Sequence, residues 1–456
     1  MIYSINPATE EKIKTFETDS PAEVEKALAA VAAAQKQWAQ KSVSERIPLL
    51  RQVAKLLRER KAEYGALITL EMGKPVKEAE GEIEKCAWNC EFYADKAAEY
   101  LGDEVVPSSA TLSKVVYDPL GVVLAVMPWN YPFWQVMRFA APALAAGNGV
   151  VLKHANNVPQ CALAIAQLFH DAGAPEGLFA TLLVEASEVK GLIEDRRISA
   201  VTLTGSTPVG KLVASQAGAV LKKQVLELGG SDAFIVLADA DIELAAKSAV
   251  KARFQNVGQS CISAKRFIVV DAVAEQFTQR FCHYTAELKV GDPMQRDVTI
   301  GPLARANLRD DLHDQVQRSV AQGAKLLMGG KFVEGPGFFY EPTVLGNVTS
   351  DMAAGCEETF GPAAAIMRVK DTEAAIALAN SLDYGLGAGL WTQNVEEGAK
   401  LARRIEAGAV FINGLVASDP RYPFGGIKQS GYGRELGVHG AREFTNIKTV
   451  WIGPAK

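Results

Sequence analysis

The sequence predicts an α/β protein built on two open, mostly parallel sheets, and three observations lead there. At 456 residues the chain is longer than one ordinary core organises, so two or three domains follow. From Gly121 to Thr204 short apolar runs alternate with helical patterns, as they do where strands of a parallel sheet are joined by helices. A second alternation runs from Phe267 to about Asn413.

The first hundred residues are mainly helical. After a short extended segment, Ser20-Pro21-Ala22-Glu23 supplies an N-cap and a proline at the first helical position. Amphipathic helices are expected over Glu23 to Gln40, Ser44 to Arg60 and Val76 to Tyr100, and none of them offers an evident catalytic group. Two β-like runs between Asp103 and Tyr117, around Ser108-Ser109, suggest a hairpin.

In the first α/β region strands fall at Gly121 to Met127, Gly149 to Leu152 and Ala200 to Thr204, with helices over Phe133 to Ala146 and Pro159 to Ala172. Past Phe267 helices are expected over Ala274 to Leu288, Ala304 to Ala321 and Thr372 to Asn380. The stretch Phe444 to Ile452 alternates like a strand able to pair with another subunit.

Composition excludes several classes. A net charge of −5 with mixed signs argues against a nucleic-acid surface. The longest apolar stretches, such as Phe139 to Leu152, are too short or too broken to span a bilayer. Six scattered cysteines and no secretory leader point to a reducing cytoplasm. Cys86 and Cys90 could share a helix face, but nothing completes a zinc site, so core packing is expected and no metal.

Parallel sheets bind ligands at the carboxyl ends of their strands. Three such ends here carry Pro128-Trp129-Asn130-Tyr131-Pro132, Lys153-His154-Ala155-Asn156 and Gly205-Ser206-Thr207. A lysine, and a Gly/Ser turn ahead of a helix, suit phosphates and ribose hydroxyls. Gly205 to Lys211 nearly spells a P-loop, yet Leu212 stands where magnesium needs a hydroxyl. No Gly-x-Gly-x-x-Gly follows these strands, so a nucleotide is held in some other way.

Two further residues carry chemistry. Glu227 precedes Gly229-Gly230 in apolar surroundings that raise a carboxyl toward the range of a general base; an exposed turn glutamate is the plainer alternative. Cys261 lies in the polar turn Gly258-Gln-Ser-Cys261, between a helical pattern and the run Phe267-Ile-Val-Val. Free N–H groups and the nearby Lys265 and Arg266 favour a nucleophilic thiolate there, whereas a lone cysteine also suits a buried structural thiol. None of the five histidines has the context of a thiol hydrolase partner.

Asn130, Lys153, Gly205-Ser206, Glu227-Leu-Gly-Gly, Gly258-Gln-Ser-Cys261, Glu358-Thr-Phe360-Gly-Pro and Pro423-Phe-Gly-Gly together resemble the ordered motif set of the aldehyde dehydrogenase superfamily, over nearly the whole chain. The resemblance implies two Rossmann-like open α/β domains plus a small β oligomerisation element. It divides the chain into an NAD(P)-binding domain (1–102 and 119–229), a catalytic domain (230–425) and an oligomerisation element (103–118 and 426–456), in a homodimer or homotetramer.

It also implies roles. Cys261 attacks an aldehyde, Asn130 and the Cys261 N–H hold the oxyanion, and Glu227 activates the water that hydrolyses the thioester. CoA-acylating relatives usually lack such a glutamate. Lys153, His154, Asn156, Gly205 and Ser206 fall at the adenosine ribose and phosphates, Glu358 at the nicotinamide ribose and Phe360 beside the nicotinamide. Met127, Trp129 and Leu228 complete the implied cofactor contacts. Asn156 stands where NAD-preferring relatives commonly carry a glutamate that repels a 2′-phosphate, so NADP is expected to serve at least as well as NAD.

Arg138, eight positions beyond Asn130, resembles the carboxylate-binding arginine of succinate-semialdehyde dehydrogenases, and Ser418 resembles the serine on the loop closing over that carboxylate. Trp134 and Arg421 complete the implied substrate site, with Arg421 as a second cation. A small aldehyde with a distal carboxylate is therefore expected. Succinate semialdehyde comes first, and glutarate semialdehyde or a broad aldehyde range is the alternative. Ser263 stands where some eukaryotic relatives carry a second, switching cysteine.

Overall fold

Ser20 starts the first long helix, Pro21–Ala39, through a capping box: its hydroxyl accepts from Glu23 N at 3.3 Å, and the Glu23 carboxylate accepts from Ser20 N at 2.7 Å. Each partner satisfies a donor that the helix end leaves free. The structure, a computed structural model, describes residues 1–453. Helices Val43–Glu59, Lys61–Met72 and Val76–Tyr100 follow. The last has the expected bounds, whereas Lys61–Met72 was not foreseen.

Val76–Tyr100 turns Ile83, Cys86, Cys90 and Tyr93 into the core, each fully buried. Burying a large apolar side chain contributes about 1.5–3 kcal/mol, so this face anchors the helix against Val43–Glu59, Lys61–Met72 and Trp134–Ala145. Cys86 and Cys90 are core residues. The opening segment is a hairpin, Ile2–Ile5 paired with Lys12–Phe16.

The first sheet runs, edge to edge, Gly431–Tyr432, Lys223–Glu227, Ile198–Thr204, Val122–Met127, Gly149–His154 and Phe179–Thr181. Its strands are parallel except Gly431–Tyr432. Chain order reverses beside Val122–Met127: one side leads on to Gly149–His154, the other to Ile198–Thr204. A crevice opens at the carboxyl ends of strands at such a reversal, and Trp129, Asn130, Gly205 and Ser206 follow these two strands.

The second sheet has seven strands: Lys325–Met328, Thr343–Gly346, Ala363–Val369, Ala264–Val270, Asp232–Val236, Gly387–Trp391 and Ala409–Ile412. All pairs are parallel except that of Lys325–Met328. The strand that follows Cys261, Ala264–Val270, is central and wholly buried.

A third, three-stranded sheet joins Glu104–Val105, Leu112–Pro119 and Thr445–Ile452. The late strand therefore pairs within its own chain, from Thr445 opposite Pro119 to Ile452 opposite Leu112, rather than needing a second subunit to complete it. The last three residues of the expected 426–456 element lie outside the described residues. Among the described residues no helix is long and apolar enough to cross a membrane.

Candidate active site

Helix Ile242–Phe254 ends and the chain passes through three consecutive left-handed residues, Asn256 (φ 53°), Val257 (φ 57°) and Gly258 (φ 72°), before Cys261. A β-branched residue there is strained by roughly 1–3 kcal/mol, and neighbours on several sides hold it. The Glu78 carboxylate accepts from Asn256 N at 2.7 Å. The Asn256 amide donates to the carbonyls of Asn130 (2.9 Å) and Gln259 (3.0 Å). Gly258 is required: a Cβ there would meet the Gly361 carbonyl at 2.3 Å.

Arg253, wholly buried, donates to the carbonyls of Ala264 (3.0 Å), Gly258 (2.9 Å), Thr359 (3.2 Å) and Gly361. It thereby ties the cysteine loop to the loop of Glu358 and Phe360. Lys265 donates to the carbonyls of Ser260 (2.8 Å) and Cys261 (2.7 Å).

Cys261 is half-buried in the wall of a cavity of about 930 Å³ that also takes in Tyr131, Trp134, Arg138, Ser418 and Phe424. Burial pushes its thiol up to about 12, opposed by Arg138 and Lys265 and reinforced by Glu227 and Glu358. In the resting protein the thiol is protonated, and nucleophilic attack requires a group that takes its proton. The Asn130 amide donates to Gln259 O at 3.1 Å; an amide nitrogen carries two donors, so one remains.

Glu227 ends the strand Lys223–Glu227 and is 1% exposed. Neither carboxyl oxygen has a hydrogen-bond partner. Burial holds its carboxyl well above the usual range, with Glu435 adding to the rise and Arg138 and Arg434 opposing it. This is the apolar setting expected from the sequence, and it poises a carboxyl for proton transfer nearer neutrality.

Most of the residues expected at a dinucleotide lie at the carboxyl ends of strands of the first sheet. Lys153 donates to His154 O (2.9 Å) and Asn156 Oδ1 (2.7 Å). Ser206 caps helix Thr207–Ala219, whose first turn packs so that a Cβ on Gly210 would meet Leu228 at 2.3 Å. Glu358 accepts from Gly230 N at 3.0 Å and sits 3.8 Å from Lys265. Phe360 meets Trp129 edge to face at 5.8 Å, and Met127 is buried at its strand end.

The donor set fits a dinucleotide. Among the described residues Lys153 has no carboxylate within 4.0 Å to neutralise it, and Ser206 stands at the N-terminus of helix Thr207–Ala219, after another strand of the same sheet; helix N-termini of this kind receive phosphate. His154 departs from expectation: its ring is buried, with Nδ1 accepting from Ala155 N (2.8 Å) and Nε2 facing Pro132 O (2.9 Å). Burial lowers its pKa to about 4, so the imidazole is neutral and both ring nitrogens are occupied by backbone. It is no anion ligand.

The substrate end also departs from expectation. Arg138, on helix Trp134–Ala145, is 2% exposed and ion-paired with the equally buried Glu435. Its guanidinium lies 4.6 Å from the centre of the Phe424 ring and donates to Thr204 Oγ1 at 3.3 Å. It lines the same cavity as Cys261 and Ser418 and faces the Glu435 carboxyl, which burial raises. Arg421 is exposed and forks onto Asp419 at 2.9 and 2.6 Å, so it is not a free second cation either.

Ser418 keeps its expected place on the cavity wall and accepts from the Trp134 indole at 3.0 Å. It also accepts, at 2.9 Å, from Lys85, a residue on Val76–Tyr100 that sequence reasoning passed over. Glu435 was passed over too. Both lie in stretches that read as solvated charge, and only the packing reveals them.

This chain matches the aldehyde dehydrogenase family over residues 1–450. It is 54% identical over 451 residues to a Synechocystis sp. protein named probable succinate-semialdehyde dehydrogenase, NADP(+), covering 99% of each. It is 49% identical over 448 residues to the Escherichia coli succinate semialdehyde dehydrogenase, NAD(P)+, Sad, covering 98% of this chain and 97% of that one. Its structure superposes with a TM-score of 0.97, at 38% identity and with all of both chains covered, on succinic semialdehyde dehydrogenase from Streptococcus pyogenes in complex with NADP+. The chain belongs to the aldehyde dehydrogenase family. It is an enzyme of aldehyde oxidation.

Proposed function

We propose that the protein oxidises succinate semialdehyde to succinate with NADP as the favoured acceptor and NAD as a second. Cys261 and the Ser418 hydroxyl line one cavity, and this observation carries the reading: a reactive aldehyde can meet the thiol while its far end meets polar groups. Glutarate semialdehyde is longer by one methylene, a difference of only about 1–3 kcal/mol in a pocket, and is the second substrate.

In this mechanism the Cys261 thiol gives up its proton to the Glu227 carboxylate, which releases it to water before the hydrolysis step, and its sulfur adds to the aldehyde carbon. The second donor of the Asn130 amide and the Cys261 N–H receive the developing oxyanion. NADP, when bound, supplies the acceptor for the aldehydic hydride, which leaves a thioester on Cys261. Glu227 takes a proton from water as its oxygen adds to the thioester carbon; the C–S bond breaks and the acid departs. Lys153, Asn156 and Ser206 hold the adenosine end, Glu358 the nicotinamide ribose, and Phe360 with Trp129 border the ring.

The chain divides, in the same reading, into a cofactor domain (1–102 and 119–229), a catalytic domain (230–425) and a β element (103–118 and 426–456) that joins copies into a dimer or tetramer. Six unpaired cysteines suit a reducing cytoplasm. Steady-state NADPH formation with succinate semialdehyde, glutarate semialdehyde and butanal tests the substrate. A kcat/KM highest for succinate semialdehyde is expected; equal values for all three would reduce the assignment to a general aldehyde dehydrogenase.

A further inference from the structure

Asn130 and Cys261 belong to different sheets. Asn130 follows the strand Val122–Met127 of the first, and Cys261 precedes Ala264–Val270 of the second. Where they meet, Asn256 ties one to the other. Its amide nitrogen donates to the Asn130 carbonyl at 2.9 Å and to the Gln259 carbonyl at 3.0 Å. The Asn130 amide nitrogen donates to that same Gln259 carbonyl at 3.1 Å. Asn256 and Gln259 are fully buried and Asn130 nearly so.

Donors and acceptors match in number at this junction. An amide nitrogen has two hydrogens and a carbonyl oxygen two lone pairs, so the Asn256 nitrogen and the Gln259 oxygen are both saturated. The Asn130 amide is planar, and fixing one of its N–H bonds fixes the direction of the other. The two loop residues are held in turn from elsewhere: the Glu78 carboxylate accepts from Asn256 N at 2.7 Å, and the Gln259 side chain accepts from Ala304 N at 2.9 Å. Asn256 takes up a left-handed backbone to reach Asn130, and the β-branched Val257 follows it there. Strain of this kind persists where its surroundings over-determine it, and it gathers at functional sites.

We propose that Asn256 is a positioning residue for the oxyanion: it sets the direction of the free Asn130 N–H and the separation between that donor and the Cys261 N–H. The assignment rests on the reading of Asn130 as oxyanion donor above and deepens it by naming what holds the donor. Fully buried and outside the wall of the cavity, Asn256 acts through Asn130 rather than on substrate. A donor stabilises developing charge only from the right place, and a displacement of about 1 Å costs on the order of 100-fold in rate.

The test is a double-mutant cycle on the first-turnover rate of NADPH formation, with succinate semialdehyde and with butanal, in the natural enzyme, Asn256→Gly, Asn130→Ala and the double variant. Glycine accepts a left-handed backbone, so Asn256→Gly removes the amide and leaves the conformation of the loop available. In the natural background it should slow the first turnover about 10- to 100-fold with either aldehyde and leave the KM for NADP unchanged. Asn130→Ala alone should slow it about 100- to 1000-fold. Added to that variant, Asn256→Gly should cost less than about threefold, because its route to the reaction is already gone. Asn256→Asp matches the amide in shape, tolerates the same backbone and lacks its donors, and it supplies the same comparison if the glycine variant is poorly soluble. Losses that multiply in the double variant, or an undiminished rate in Asn256→Gly, overturn the positioning role while leaving Asn130 in place. An undiminished rate in Asn130→Ala overturns the oxyanion reading and this assignment together.

Discussion

The ammonium of Lys265 donates to the carbonyl of Cys261 at 2.7 Å while standing 3.8 Å from the carboxylate of Glu358. One buried cation thus joins the backbone of Cys261 to the carboxylate of Glu358. Lys265→Met keeps the volume, leaves the carbonyls of Ser260 and Cys261 unpaired and strands Glu358. Losing one partner of a buried charge cluster costs about 3–5 kcal/mol. A fall of that size in urea-denaturation stability is expected, together with a lower kcat.

Arg253 binds carbonyls from both loops that frame the reactive cysteine. Arg253→Met should destabilise the protein by several kcal/mol, since each buried carbonyl left unpaired costs about 1–3 kcal/mol. The same variant should raise the KM for NADP, because the loop of Glu358 loses its tie. Denaturation and cofactor titration check the two effects separately.

Gly258→Ala puts a methyl against the Gly361 carbonyl at a left-handed position. The cost from backbone conformation alone is about 1–2 kcal/mol, before the clash. Loss of most activity is expected with soluble protein retained, read as kcat in purified variant. Wild-type kcat in that variant would show the loop to be more yielding than its contacts indicate.

The Asn156 amide bridges Lys153 (2.7 Å) and Glu185 (2.8 Å). Asn156→Glu places a second carboxylate beside Glu185 and draws the Lys153 charge away from an incoming phosphate. The ratio of kcat/KM for NADP to that for NAD should fall by about 10- to 100-fold, the span of 1–3 kcal/mol that one charged contact commands. An unchanged ratio would remove Asn156 from cofactor discrimination.

The pH dependence separates two groups by sign. Burial raises the Glu227 carboxyl, so activity toward every aldehyde should climb as rising pH deprotonates it. Lys85 is lowered to about 8 and loses its charge as pH rises through that value. The preference for succinate semialdehyde over butanal should therefore decline above about pH 8. Kinetics with both aldehydes from pH 6 to about 9.5 measure this, since a lysine titrates within about a unit of its pKa.

Much of this was legible in the chain, and what was not has physical causes. Helix Val76–Tyr100 was readable to the residue, because its apolar stripe is long and regular. Lys61–Met72 was not: its cap position is Arg60, without a side-chain cap bond, and Gly65 interrupts the pattern. Glu227 could be read locally because its apolar neighbours flank it in sequence. Lys85 could not, since it meets Ser418 across 333 positions and sits between charges that look solvated. His154 misled because its strand-end position suits a ligand, whereas its ring turns inward onto Pro132 O.

Several parts of the site come from one late stretch. Ser418 supplies the cavity wall, Gly431–Tyr432 pairs with the strand that ends at Glu227, and Glu435 answers Arg138. During synthesis Cys261 emerges roughly 160 to 170 residues before these partners, and the ribosome adds about 5–20 residues per second. For roughly 8 to 35 s the nascent chain holds the thiol without the strand that pairs beside Glu227 or the carboxyl that faces Arg138. The order of translation itself thus delays assembly of the reactive centre until the rest of the molecule is there to enclose it.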